Sequence, residues 1–148
     1  MRSNHLTILL AEDGEDDAFL MRRAFEKAHL ANPLNVVRDG REAIAYLSGQ
    51  GIYADRSRYP FPCLLLLDLK MPKVSGFEVL TWIRNQPELK RLPVVVLTSS
   101  TEVPDISKAY DLGANSYLVK PGTFEDLMHM VEKLGGYWLI TNEKPSVS

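Results

Sequence analysis

Cysteine is nearly absent from this chain, with Cys63 alone among 148 residues. A disulfide within the chain is therefore excluded, and the composition suits a reducing compartment. An excess of charge of either sign is missing too. Seventeen Lys and Arg stand against 19 Asp and Glu, for a net charge of −2. Arg22-Arg23 and Lys90-Arg91 are isolated pairs, so no basic patch for nucleic acid exists. No apolar run approaches the roughly 18 residues of a membrane span. Met1–Leu10 lacks the charged flank and long apolar run of a signal peptide. The expected setting is the cytoplasm, with neither nucleic acid nor membrane as partner. Repeats, linkers and low-complexity segments are also lacking, so the length predicts one domain with a sizeable core.

What the chain does have is a set of short apolar runs that end in polar side chains. The most informative is Cys63-Leu64-Leu65-Leu66-Leu67-Asp68-Leu69-Lys70-Met71-Pro72. Four leucines bounded by Pro60 and Pro62 before and Pro72 after are too short for a helix and read as a strand buried on both faces. Leu6–Ala11, Leu34–Val37, Pro93–Thr98 and Ser116–Val119 are further strands. Helical patterns separate them. Ala18, Met21, Phe25 and Ala28 share one face, and Ala43, Ile44 and Leu47 another, after a turn at Asp39-Gly40. Ser75 with Glu78 forms a capping-box pattern before Phe77, Val79, Leu80 and Ile83. Ile106, Ala109 and Tyr110 form the face of a helix over about 103–112. Thr123 with Asp126 caps the stripe of Phe124, Leu127, Met128, Val131 and Leu134. Strand–helix repeated five times predicts a parallel sheet with helices on both faces. The expected core spans about residues 5–134 of a single 1–148 domain. A short aromatic and polar tail covers 135–148, where Tyr137 and Trp138 suit either a dimer contact or a cap on the core. Gln50–Pro62 is long for a connection. It reads as a surface loop with aromatic packing, a partner-contact loop being the alternative.

Ligands in open parallel sheets bind outside the carboxyl ends of the strands. Those ends carry Glu12 and Asp13, then Asp68, then Thr98, then Lys120. Three carboxylates gathered without a cation repel one another. A divalent metal with oxygen ligands, of which Mg²⁺ is the natural choice, resolves the conflict. A carboxylate nucleophile, a metal, a hydroxyl and an ammonium together make a phosphoryl-transfer site. Taken singly each residue has a blander explanation, as a helix cap, a turn or packing. Glu15, Asp16 and Asp17 read mainly as a solvated helix N-terminus. The joint placement carries the signal.

That joint pattern resembles the receiver domain of bacterial two-component response regulators. The matching residues are Leu9-Leu10-Ala11-Glu12-Asp13, Leu66–Pro72 with Gly76, Val95–Ser99, and Gly113–Pro121. The resemblance implies an α/β, flavodoxin-like, doubly wound five-stranded sheet of order 2-1-3-4-5, an order that general fold surveys illustrate with a member of this family. It implies that Asp68 accepts a phosphoryl group from a histidine kinase, and that Asp13, Asp68 and the backbone carbonyl of Lys70 ligate Mg²⁺, with Glu12 acting through water. It implies that Lys120 pairs with the phosphoryl group, that Thr98 moves to hydrogen-bond it, and that Tyr117 swings inward as an aromatic switch. The long Gln50–Pro62 connection, the acidic opening Glu12–Asp17 and Tyr137-Trp138-Leu139-Ile140 resemble the single-domain regulators partnered with phytochrome kinases. That narrower likeness implies a light-sensing kinase and a homodimer through the fourth helix, fifth strand and fifth helix. Onward signalling would then run by conformational change, by dimerisation or through a histidine phosphotransfer protein.

Departures from the pattern are mild. Ser75 stands where the family often has Asp, and Ser99 where a small apolar residue is common. The Lys70 side chain is free to screen an acyl phosphate. Rival readings fare worse. A flavin or nucleotide domain needs an anion-binding turn after the first strand, where Glu12-Asp13 would repel phosphate. A phosphatase with an Asp-x-Asp motif lacks its second carboxylate in Asp68-Leu69-Lys70. A degenerate receiver serving only as a binding module would not need the complete residue set. His5, His29 and His129 do not join the site.

Overall fold

The computed structural model describes residues 7–135; His5 and the Tyr137–Ile140 aromatic tail lie outside the described residues. The strands are β1 (Ile8–Ala11), β2 (Leu34–Val37), β3 (Leu64–Leu67), β4 (Val94–Thr98) and β5 (Ser116–Val119). The helices are α1 (Glu15–Lys27), α2 (Gly40–Ser48), α3 (Gly76–Arg84), α4 (Val103–Asp111) and α5 (Phe124–Leu134). All strand pairs are parallel, in the order β2-β1-β3-β4-β5. The fold class expected from the alternation of strands and helices is the one observed.

Alternation along the strands divides the core into two layers. Leu9, Ala11, Leu65, Leu67, Val94 and Val96 face one way, against α2, α3 and Ala109 of α4. Ile8, Leu10, Leu64, Leu66, Val95 and Leu97 face the other, against α1 and α5. A central strand covered on both faces has no polar side, so four successive leucines suit β3. β5 lies at the sheet edge and is only half-buried, in keeping with its mixed Ser-Tyr-Leu-Val sequence.

Local chemistry fixes the helix starts. The Ser75 hydroxyl accepts from the Glu78 N–H, and the Glu78 carboxylate accepts from the Ser75 N–H, completing the capping box. Thr123 caps α5 by accepting from Asp126 N–H. Asp39-Gly40, read from sequence as a turn, is instead the start of α2: the Asp39 carboxylate accepts from Glu42 N–H at 2.8 Å. Two glycines let backbones approach closely. A Cβ on Gly40 would lie 2.0 Å from the Val74 carbonyl oxygen, and one on Gly76 would lie 2.2 Å from the Asp68 carbonyl oxygen. Gly76 therefore allows α3 to start directly beneath the end of β3.

Two sequence readings change in detail and a third, the aromatic packing of Gln50–Pro62, is seen and extended. Tyr110 is 48% exposed, and Ala109 alone of α4 is buried. Met128 is only half-buried, while Met130 packs against the α1–α5 core. The Gln50–Pro62 connection is an ordered unit. A 3-10 turn at Gly51–Ala54 leads into a ring cluster of Tyr46, Tyr53 and Tyr59, with centroids 4.9 to 6.0 Å apart. Arg56 donates to the carbonyls of Tyr46, Leu47 and Tyr59, and the Tyr46 hydroxyl donates to the Pro60 carbonyl.

Candidate functional site

Parallel pairing in register brings the carboxyl ends of β1, β3 and β4 to one edge of the sheet, and the residues just beyond them form the site. Glu12 follows β1 and is buried, while Asp13 beside it is exposed. Asp68 follows β3 and is 6% exposed. One carboxylate oxygen each from Glu12, Asp13 and Asp68 lies within 4.8 Å of the others. Thr98 closes β4 and is 1% exposed, and its carbonyl accepts the Lys120 N–H at 2.8 Å. Lys70 is exposed, and its N–H donates to Asp68 Oδ1 at 3.3 Å.

Lys120 is the cation of the cluster. Its Nζ lies 2.6 Å from Glu12 Oε1, 2.9 Å from Asp17 Oδ2 and 3.2 Å from Asp68 Oδ2. An ammonium has three donors, so each carboxylate takes one. Burial opposes the charge on Lys120. The hydrogen bonds to Asp17 and Glu12, with the charges of Asp68 and Glu12, outweigh that and hold its pKa above the ordinary lysine value. Burial pushes the Glu12 carboxyl up, although hydrogen bonds from Lys120 and the Gly14 N–H pull the other way.

Three carboxylates thus share one ammonium and Asp13 adds a fourth negative charge beside them, leaving a surplus of negative charge in a partly desolvated crevice. The oxygens of Glu12, Asp13 and Asp68 are hard donors close enough to converge on a single ion. This donor set fits a divalent cation such as Mg²⁺ or Mn²⁺, whose charge would cancel the surplus.

Tyr117 on β5 is half-buried against the α2–α3 side of the core. Its hydroxyl donates to the Ser100 carbonyl at 3.0 Å, which ties β5 to the loop after β4. In the same loop the Ser100 hydroxyl donates to Asp105 Oδ2 at 2.6 Å. Every site residue expected from the strand ends therefore lies at this end of the sheet, except that Tyr117 reaches it through the β4–α4 loop. Sequence reasoning missed Asp17. Its place in the first turn of α1 matches a helix N-terminus, but its carboxylate also turns back onto Lys120. Five acidic residues in the six positions 12–17 were the available signal. Which of them faces inward depends on where α1 begins.

Comparison with known proteins gives a consistent result. A family model described as the response regulator receiver domain matches residues 8–132. The probable methanogenesis regulatory protein FilR2 of Methanothrix harundinacea is 44% identical over 138 residues, covering 93% of this chain and 86% of FilR2. Response regulator Rcp1 of Synechocystis sp. is 41% identical over 139 residues, covering 94% of this chain and 92% of Rcp1. The Mn(2+)-bound crystal structure of Rcp1 superposes with a TM-score of 0.84 at 40% identity, over 95% of this chain and 99% of that one. The crystal structure of the phosphorylated cyanobacterial phytochrome response regulator RcpA gives a TM-score of 0.88 at 42% identity, over 96% and 99% of the two chains. Among the described residues no helix is long and apolar enough to cross a membrane. With its sheet order, its acidic crevice and its lysine after β5, this chain belongs to the response regulator receiver domain family.

Proposed function

We propose that the protein is a stand-alone response regulator that takes a phosphoryl group on Asp68 from the phosphohistidine of a sensor histidine kinase. The observation that carries this reading is the surrounding of Asp68. It is a buried carboxylate at a strand end, 3.2 Å from the Lys120 ammonium and grouped with the Glu12 and Asp13 carboxylates. Phosphorylation on aspartate is typical of the family. In the transfer, an Asp68 carboxylate oxygen forms a bond to phosphorus. The bond from phosphorus to the histidine nitrogen breaks, and its electron pair leaves on the imidazole. Asp13, Asp68 and the Lys70 carbonyl would hold Mg²⁺, with Glu12 contacting it through water. The ion, when bound, offsets charge on the phosphoryl oxygens. Lys120 takes a further oxygen.

Signalling follows from charge. An acyl phosphate brings about −1.5 to −2 charges and strong acceptors. The Thr98 hydroxyl is drawn to them, and Tyr117 gives up its bond to the Ser100 carbonyl and turns inward. The face of α4, β5 and α5 repacks. Val103, Tyr110 and Val119 are exposed apolar side chains on that face, which supports its use as a homodimer surface. The likeness to Rcp1 and to the phytochrome regulator RcpA supports a phytochrome kinase as phosphodonor. A histidine phosphotransfer protein is the further partner this chemistry allows.

Intact mass spectrometry after incubation with Mg²⁺ and a small phosphodonor tests the core of the proposal. One added phosphoryl group is expected, dependent on Mg²⁺ and absent from Asp68→Asn. Persistence of the added mass in that variant would place the acceptor elsewhere.

A further inference from the structure

Asp17 stands apart from the other acidic groups of the crevice. It is not among the three carboxylates whose oxygens cluster within 4.8 Å. It reaches the site only through Lys120, with 2.9 Å between Asp17 Oδ2 and Lys120 Nζ. Its side chain is 50% exposed on the first turn of α1, whereas the Lys120 side chain is 17% exposed.

Lys120 meanwhile occupies oxygens that a metal would need. Its two other partners, Glu12 Oε1 and Asp68 Oδ2, belong to residues of the candidate metal group. Without a metal the ammonium acts as the resident counter-ion of the crevice. An entering dication must draw those carboxylates toward itself, and two cations sharing the same oxygens repel each other. Of its three carboxylate partners only Asp17 lies outside the candidate metal group, so withdrawal toward Asp17 keeps one charged contact.

The geometry points to Asp17 as a positioning residue for metal entry. It is the acceptor onto which the Lys120 ammonium withdraws when a divalent cation takes Asp68 directly and Glu12 through water. The inference rests on the reading of Glu12, Asp13 and Asp68 as the metal group. It assigns Asp17 a role beyond the dipole complementarity that any first-turn acid supplies. Asp16, adjacent and exposed in the same turn, provides the matched control, because it carries the same charge and has no contact with Lys120 among those the structure shows.

Free Mn²⁺ measured by electron paramagnetic resonance during titration reports affinity without any phosphoryl chemistry. Asp17→Asn is expected to weaken Mn²⁺ binding about three- to tenfold, and Asp16→Asn less than about twofold, as a solvent-screened exposed charge should. In a Lys120→Met background Asp17→Asn should cost no more than Asp16→Asn, since there is no ammonium left to receive. Equal effects of the two variants in the wild-type background would overturn the inference while leaving the metal reading intact. So would an Asp17→Asn effect that persists undiminished beside Lys120→Met. A wild-type protein that binds no Mn²⁺, with circular dichroism confirming that it is folded, would overturn the metal reading and this inference together.

Discussion

At Glu12 burial and charge pull against each other within a single candidate site residue. It is buried, and desolvation raises its carboxyl pKa even though Lys120 stands 2.6 Å away. A carboxyl raised in the folded state holds its proton more tightly there than in the unfolded chain. Its contribution therefore favours folding at low pH and becomes a cost once pH rises past the folded-state value. Burial thus makes the charged form of this side chain costlier in the folded chain, a cost that Lys120 offsets in part and that a divalent cation would offset further. Glu12→Gln is accordingly expected to melt at or above the wild-type temperature in the absence of metal. It should also show little of the rise in melting temperature expected of the wild type with Mg²⁺. Differential scanning calorimetry with and without Mg²⁺ checks both points. A metal-free variant melting well below the wild type would mean that the pair with Lys120 is stabilising on balance.

At the scale of elements, the segment between α2 and β3 is the part least typical of a connection. Its rings and the Arg56 guanidinium make it a small packing unit, with Arg56 lying 5.8 Å from the ring centroids of both Tyr46 and Phe61. Burial, with Glu42 and Tyr59 nearby, pushes the Tyr53 hydroxyl up to about 12. The phenol is thus favoured over the phenolate in the folded state. The stability it confers is complete below the unfolded tyrosine value of about 10 and drains away as pH rises to about 12. Urea titrations at pH 9 and pH 11 should show the wild type losing more stability between them than Tyr53→Phe does. Identical losses would show that the ring hydroxyl is effectively solvated. Arg84 plays a comparable part between α3 and the loop before β5. It donates to the carbonyl of Gly113 through Nε and Nη2, and to the carbonyl of Leu92 through Nη1.

Across the whole molecule, both layers of the core meet on β3. Leu65 and Leu67 belong to the α2–α3 side, and Leu64 and Leu66 to the α1–α5 side. Leu66 is 0% exposed, so Leu66→Ala removes apolar contact where neighbouring helices cannot close the gap. A loss of about 2–5 kcal/mol is expected, a large fraction of the roughly 5–15 kcal/mol that holds a typical domain together. Phe19 is larger but 59% exposed, and Phe19→Ala should change stability by no more than about 0.5 kcal/mol. Chemical denaturation of the two variants gives the comparison directly. A small effect at Leu66 would indicate that β3 is not the common wall of the two layers. Because that wall ends at Asp68, loosening it would also loosen the proposed acceptor.

Sequence alone determined the alternation of strands and helices, and with it the parallel sheet. Runs such as Leu64–Leu67 and Val94–Leu97 have a period and length that only buried strands satisfy, while Ser75-Glu78 and Thr123-Asp126 mark helix starts through local hydrogen bonds. It also placed the polar side chains of the site, since Glu12, Asp13, Asp68, Thr98 and Lys120 stand at the ends of apolar runs and parallel strands end on one side. Tertiary structure decided what depends on rotation and distance. Whether Asp17 faces solvent or Lys120 rests on the first residue of α1, which propensity leaves uncertain by a turn. The exposure of Tyr110 rests on which face of α4 the fold buries, and that is the face of Ala109. The order within Gln50–Pro62 rests on Arg56 meeting carbonyls of α2 and of the segment itself, which no periodicity encodes. Local patterns report what a residue does to its neighbours in the chain, and the partners of Lys120 come from three separate elements.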